Sequence, residues 1–132
     1  MALTRLANRL TIDPGVRDSV YRTAKGKCPV EDYLDGFSDR QVEKVLWTLR
    51  VVRELNPVPA QYLQKMSGTN DLWEVRISHA GNIFRLLGFV TSKRLLMLVH
   101  GFTKKTEKTP PQELATAAAR KKDHETREKT KS

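Results

Sequence analysis

The chain has 132 residues, 39% of them hydrophobic and 30% charged, a composition typical of a single globular domain. Its 24 lysines and arginines against 15 aspartates and glutamates give a formal net charge of +9, which favours a polyanion, an anionic membrane surface or an acidic protein as partner. No apolar run approaches the length of a transmembrane helix, and the single cysteine excludes an internal disulfide and a cysteine-based zinc site. The reducing cytoplasm is therefore the expected location.

The positive charge is concentrated at the two ends of the chain. Residues 1–28 hold six basic and two acidic residues, residues 29–100 hold nine and eight, and residues 101–132 hold nine and five. If the two ends meet in the fold, they form one basic surface. The alternative is a pair of solvated tails.

Three segments are predicted along the chain. A turn sequence at residues 13–15 separates an N-terminal extension, residues 1–15, from a domain over residues 16–124. No large apolar side chain follows residue 120, so residues 125–132 are predicted to form a frayed basic tail.

The first half of the domain is predicted to contain a strand and a helical hairpin. Val16, Val20 and their neighbours favour a strand over residues 16–23. The hairpin is predicted over about residues 29–56, and its longer second helix begins at a capping box formed by Ser38 and Gln41.

The second half is predicted to be an antiparallel meander followed by a helix. Polar and apolar residues alternate over residues 73–78, and two mainly apolar strands follow over residues 83–90 and 95–102. The last strand is apolar on both faces, which favours a central position in the sheet. A capping box with proline at residue 110 begins the C-terminal helix.

These elements predict an α+β domain with a small, mostly antiparallel sheet. The N-terminal helical hairpin is expected on one face of the sheet, and a C-terminal helix follows the last strand. The other face is expected to be open or covered by a partner.

Four basic residues and one acidic residue form the candidate catalytic group. Glu74 and Arg76 share the polar face of the first meander strand, Arg85 lies inside an apolar strand, and Lys104 and Lys105 follow the third strand. If the strands pair as a meander, Arg76 and Arg85 are expected to lie on neighbouring strands separated by a short turn. A planar arginine fork suits bidentate contact with phosphate, and lysines add positive charge.

Each candidate has a simpler interpretation as well. Glu74 and Arg76 are consistent with a surface ion pair, and Arg85 is either a member of a buried ion pair or a ligand-binding residue. His100 is interpreted as a satisfied core histidine rather than a base, and Cys28 as inert. No metal-ligand spacing or glycine-rich phosphate loop is present in the sequence, so neither a metal nor a cofactor is predicted.

Several short motifs follow one another along about residues 19–124. They are Tyr21-Arg22, Gly26-Lys27-Cys28-Pro29-Val30, Leu72-Trp73-Glu74-Val75-Arg76, Phe84-Arg85, His100-Gly101-Phe102, Lys104-Lys105, Thr109-Pro110, and a closing pattern of Glu113, Ala117, Arg120 and Asp123. In this order the chain resembles the phage-derived HigB-like toxins of the RelE/ParE superfamily, which belong to type II toxin–antitoxin systems.

The resemblance implies a twisted antiparallel sheet with an N-terminal helical hairpin, and a ribosome-dependent endoribonuclease that cuts mRNA and inhibits translation. It also implies a cognate helix-turn-helix antitoxin, with a heterotetramer as a candidate assembly, and no membrane partner. Arg76, Arg85, Lys104 and Lys105 fall where the superfamily keeps the basic residues that bind and cut mRNA.

Further roles are assigned to residues around this group. Lys25, Lys27 and Lys108 are predicted to bind RNA, and Glu74 is either a general base or the residue that holds Arg76 in place. Residues 106–112 lack the tyrosine or histidine that many RelE-type toxins carry after the last strand. Two alternatives therefore stay open: a gyrase-directed toxin without nuclease activity, and a basic RNA-binding module without chemistry.

Overall fold

A computed structural model describes residues 18–55, 58–91, 96–104 and 108–131 of the chain. The predicted N-terminal extension over residues 1–15 lies outside the described residues, and so does Lys105.

The described part of the chain contains a strand, two helices, four strands and a final helix, in the predicted order. They are β1 (Asp18–Val20), α1 (Pro29–Leu34), α2 (Asp39–Glu54), β2 (Leu63–Lys65), β3 (Trp73–His79), β4 (Asn82–Val90), β5 (Leu96–Lys104) and α3 (Pro111–Lys131). The predicted α+β class is confirmed.

The strands form one sheet in the order β1-β5-β4-β3-β2. Strands β2 to β5 pair antiparallel, and β3, β4 and β5 form the predicted meander. Strand β1 pairs parallel with β5, which places β5 inside the sheet and leaves β1 and β2 at its edges. A mostly antiparallel sheet is therefore present.

The helical hairpin covers one face of this sheet through apolar contacts. The predicted capping box is present at the start of α2: the Gln41 amide donates to Ser38 Oγ at 3.2 Å, and the Ser38 amide donates to Gln41 Oε1 at 2.8 Å. Because the buried side chains of both helices meet those of the central strands, this face forms the larger apolar core. Its fully buried members include Val30, Leu34, Val45, Val75, Ile77, Leu86 and Leu98.

The opposite face is covered by the C-terminal helix of the chain itself, where an open face or a partner protein was expected. Ala117 of α3 is fully buried against a cluster that includes Leu87, Phe89 and Val99. The small alanine side chain brings the helix close to the sheet, and the Arg120 guanidinium donates to the Val99 carbonyl at 2.9 Å. The apolar content of α3 is low, so its packing on the sheet was not evident from hydrophobic periodicity.

Helix α3 also continues through residues 125–131, where a frayed tail was predicted. Arg127 donates to the Asp123 carboxylate one turn earlier at 2.8 Å and to the backbone carbonyl of Arg22. The Tyr21 hydroxyl donates to the same Asp123 carboxylate at 2.5 Å. These polar contacts replace the apolar anchoring that the sequence lacks, and they join the segment after β1 to the end of α3.

None of the helices in the described ranges combines the length and the apolar character that a membrane span requires.

Candidate nucleic-acid interface

A buried carboxylate stands at the centre of the candidate site. Glu74 on β3 is fully buried, and its Oε1 accepts hydrogen bonds from Arg76 Nε at 2.8 Å and from Arg85 Nη1 at 2.7 Å. Its Oε2 accepts a hydrogen bond from the hydroxyl of Thr109 at 2.8 Å. One carboxylate beside two guanidinium groups leaves this cluster with a net positive charge.

The register of the meander brings these side chains together. A two-residue turn, Ala80-Gly81, joins β3 to β4, and both residues have positive φ, 50° and 80°. Such a turn suits a tight hairpin, and it sets Arg76 directly opposite Arg85. Because side chains alternate along a strand, Glu74 lies on the same face of β3 as Arg76.

This face of β3 is not the solvent face that the polar alternation suggested. Glu74 is covered by the segment that leads into α3, so the interpretation of Glu74 and Arg76 as a surface ion pair is wrong. A buried carboxylate needs partners for both of its oxygens, and here two arginines and a threonine supply them.

Arg85 forms a buried ion pair, one of its two predicted roles. Its side chain is 3% exposed, and Nη1 lies 2.7 Å from Glu74 Oε1. Removing two charges from water is costly unless they lie close together, and the 2.7 Å contact offsets that cost. Arg85 therefore acts within the cluster and does not open to solvent.

Arg76 is the member of the cluster that reaches the surface. Its side chain is 34% exposed, and only its Nε is hydrogen-bonded to another described residue. The two terminal nitrogens of the guanidinium are therefore available to a ligand. A guanidinium that is held at Nε and open at its other end is well placed to bind a phosphate.

An open cleft of about 400 Å³ lies next to Arg76. It runs between the short edge strand β2, the turn that follows it, and the segment that precedes α3. The residues that line it are Gln64, Lys65, Met66, Ser67, Glu74, Arg76, Lys108 and Thr109. Arg76 and the predicted RNA-binding residue Lys108 thus line one cleft.

Five cleft residues were not identified as site residues from the sequence: Gln64, Lys65, Met66, Ser67 and Thr109. Strand β2 has only three residues, too few to show a period, and its position is known only from its pairing with β3, where Gln64 lies opposite Glu74. Lys65 also forms a salt bridge with Asp71, with 3.0 Å between Lys65 Nζ and Asp71 Oδ1. The hydrogen bond and the charge of Lys65 lower the pKa of the Asp71 carboxyl below its ordinary value.

The other predicted basic residues are placed differently. Lys104 ends β5 in register with Ile83, two rows beyond the pair formed by Arg85 and Phe102. Lys25 and Lys27 are exposed in the turn after β1, close to Arg22. The Arg22 carbonyl accepts a hydrogen bond from Arg127 near the end of α3. Arg127 lies 18 residues beyond the cleft residue Thr109, a separation of about 27 Å along a helix axis. Lys25 and Lys27 therefore do not line the cleft.

His100 has a partner for each ring nitrogen, which agrees with its interpretation as a satisfied histidine. Its Nδ1 lies 3.0 Å from Arg120 Nη1, and its Nε2 lies 3.0 Å from Glu113 Oε2. Arginine can only donate, so Nδ1 is the acceptor and Nε2–H donates to Glu113. These bonds join α3 to β5. His100 pairs with Leu87 on β4, and Leu87 pairs with Glu74 on β3, so the three residues lie in one row across the sheet.

Cys28 is buried between β1 and α1, and burial raises the pKa of its thiol. A protonated, enclosed thiol is a poor nucleophile. The interpretation of Cys28 as inert is supported.

The fold and the site define an α+β domain with an open basic cleft backed by a buried ion-pair cluster. A family model described as phage-derived protein Gp49-like (DUF891) matches residues 32–122, which is 91 of the 132 residues and includes the whole cluster and the cleft. The chain belongs to this Gp49-like family, a RelE/HigB-type toxin family of toxin–antitoxin systems, and the family implies an antitoxin as partner. A search of curated proteins returned no match.

Proposed function

We propose that this protein is the toxin of a type II toxin–antitoxin pair and that it cleaves mRNA on the translating ribosome, which stops translation in the cytoplasm. Its antitoxin is proposed to carry a helix-turn-helix domain. The observation that carries the nuclease proposal is the position of Arg76: its Nε is held by a fully buried carboxylate, while its side chain is 34% exposed and lines an open cleft together with Lys108.

The chemistry of RNA cleavage suits such a cleft. RNA supplies its own nucleophile, the 2′-hydroxyl, so the protein needs to align the phosphate, stabilise the charge that develops on it and assist proton transfer. The terminal nitrogens of Arg76 bind the non-bridging phosphate oxygens, and Lys108 adds positive charge from the other wall of the cleft. Lys104, the last residue of β5, and Lys105, the next residue in the sequence, are proposed to contact the same strand of RNA.

The two interpretations of Glu74 are not supported equally. A general base has to reach the proton that it abstracts. Glu74 borders the cleft, but its side chain has no exposed surface and both of its oxygens accept hydrogen bonds from Arg76, Arg85 and Thr109. These contacts support the role of holding Arg76 in place. Arg85 is proposed to act in the same indirect way, as a positioning residue for Arg76.

Dependence on the ribosome is proposed because the chain has no histidine pair suited to cutting free RNA. Of its three histidines, His79 ends β3, His100 is held by Glu113 and Arg120, and His124 lies against Phe89. A basic cleft binds phosphate but aligns a flexible RNA poorly. Alignment is worth several kcal/mol of the barrier, and a ribosome that holds the mRNA supplies it.

The test compares two substrates. Purified protein is added to a cell-free translation mixture and to deproteinised mRNA, and the new 5′ ends are mapped. We expect cleavage only in the translation mixture, and a loss of about 100-fold or more in Arg76→Ala, the size of effect seen when one charge-stabilising donor is removed.

The matched control is Arg50→Ala, because Arg50 is an exposed arginine on α2 that pairs with Glu54 and is not among the residues lining the cleft. This variant is expected to cleave like the unchanged protein. Equal cleavage of both substrates would refute ribosome dependence. Cleavage of neither would refute the nuclease and favour the gyrase-directed alternative if cells still stop growing.

A further inference from the structure

The two oxygens of Glu74 have different partners. Oε1 accepts from both arginines, whereas the donor to Oε2 in the described part of the chain is the hydroxyl of Thr109, at 2.8 Å. Thr109 lies 35 residues further along the chain and belongs to the segment that leads into α3. The carboxylate is thus held from the sheet on one side and from the helix on the other.

Holding both oxygens fixes the plane of the carboxylate. The terminal torsion of a glutamate is broad, so a carboxylate bonded at one oxygen can still rotate. Arg85 at Oε1 and Thr109 at Oε2 remove that freedom. The remaining acceptor direction at Oε1 is then fixed in space, and Arg76 Nε donates along it.

Thr109 is itself held by a rigid element. The carbonyl of the next residue, Pro110, accepts from the amides of Glu113 and Leu114 at 3.0 and 3.3 Å, which begins the first turn of α3. Glu113 in that turn bonds to His100 on β5. The hydroxyl therefore approaches Glu74 from a docked helix start, next to Lys108 in the wall of the cleft.

We propose that Thr109 is a positioning residue of the cleft: its hydroxyl fixes the Glu74 carboxylate, and through it the direction in which Arg76 presents its free guanidinium nitrogens to the RNA phosphate. This inference rests on the proposed function for its ligand. The geometric part of the inference, that Thr109 positions Arg76 through Glu74, does not depend on that function.

The test replaces the hydroxyl with a methyl group in Thr109→Val and observes Arg76 directly. In ¹⁵N-labelled protein, the Nε–Hε resonance of Arg76 reports its hydrogen bond to Glu74. We expect this resonance to shift and its solvent exchange to become faster in Thr109→Val. Cleavage in the translation mixture is expected to fall about tenfold to a hundredfold, as for small misplacements of a catalytic group.

Two further variants complete the test. Thr109→Ser keeps the hydroxyl and is expected to restore both the resonance and the cleavage. Thr116→Val is the matched control, because its hydroxyl bonds to the Gln112 carbonyl within α3, away from the cluster. It is expected to leave the Arg76 resonance in place.

An unchanged Arg76 resonance in Thr109→Val would overturn the inference, whatever the activity. A shifted resonance in a protein whose unchanged form cleaves no RNA would support the inference while the proposed function fails. If Thr109→Val does not fold, Thr109→Ala is measured in the same way. Failure of both to fold would make the hydroxyl a structural requirement and overturn the inference.

Discussion

The two faces of the sheet are joined to their helices by different interactions. On the face of the helical hairpin, fully buried aliphatic side chains such as Leu34 and Leu86 form a continuous apolar core. On the face of α3, a smaller apolar cluster is accompanied by hydrogen bonds and ion pairs, among them Arg120 to Val99 and Tyr21 to Asp123.

The difference shows where stability and function are separable in this protein. The Glu74 cluster belongs to the α3 face, where Glu74 both neutralises buried charge and holds Arg76. A change on that face alters the site and the stability together. A change on the hairpin face alters stability and leaves the cleft residues in place.

The largest effect is expected from Glu74→Ala on the α3 face. It leaves the guanidinium of Arg85 buried without its carboxylate, and removing one partner of a buried ion pair costs roughly 3–5 kcal/mol. Urea denaturation followed by tryptophan fluorescence measures the loss in free energy of unfolding. Glu54→Ala is the control, since it breaks an exposed pair with Arg50 and is expected to cost less than about 1 kcal/mol. Equal losses in the two variants would show that burial adds nothing to the Glu74 pair.

A smaller loss is expected from Leu34→Ala on the hairpin face. Leu34 is fully buried, and its truncation leaves a cavity that costs about 3 kcal/mol in the free energy of unfolding. The protein that remains folded is expected to cleave mRNA within about threefold of the unchanged protein, because Leu34 does not contact the cluster. A tenfold loss of cleavage in the folded fraction would show that the two faces are coupled.

The smallest effect concerns Asp123, on α3 far from the cleft. Hydrogen bonds from Tyr21 and Arg127, together with the Arg127 charge, lower the pKa of Asp123 below its ordinary value. The ionised form is therefore favoured in the folded protein. Its stabilising contribution is present above the ordinary aspartate pKa of about 4 and is lost as the pH falls through the lowered folded pKa.

Thermal denaturation of the unchanged protein and of Asp123→Asn measures this contribution. The unchanged protein is expected to have the higher Tm at pH 7, and the difference is expected to shrink towards pH 3. A difference that stays constant between these pH values would contradict the assignment to the charge of Asp123.

Much of the site followed from local patterns. The alternation over residues 73–78 placed Glu74 and Arg76 on one face, and the short connection to the next strand brought Arg85 beside Arg76. A two-residue alternation of polar and apolar side chains identifies which residues share a face of a sheet, but it gives no information on what covers that face. Glu74 was therefore predicted at the surface, although a segment 35 residues away buries it.

Other parts of the site had no local signal. Gln64 and Lys65 belong to a strand of three residues, and Thr109 is an ordinary helix-start residue in the sequence. Each acquires a place in the cleft only through contacts with distant parts of the chain. Lys25 and Lys27 illustrate the reverse case: their charge is evident in the sequence, but the fold places them near the far end of α3 and outside the cleft lining, and their role in RNA binding stays a prediction.

The sequence by itself determined the α+β class, the helical hairpin, the meander and the placement of Arg76 and Arg85 on neighbouring strands, because capping, periodicity and tight turns are local properties. The tertiary structure decided that α3 covers the second face and buries Glu74, and that Arg76 and Lys108 share one cleft with β2. Those outcomes depend on polar contacts between distant segments, such as Thr109 with Glu74 and Arg127 with Arg22. Such contacts leave no periodic pattern, because one hydroxyl or one guanidinium is enough to form each of them.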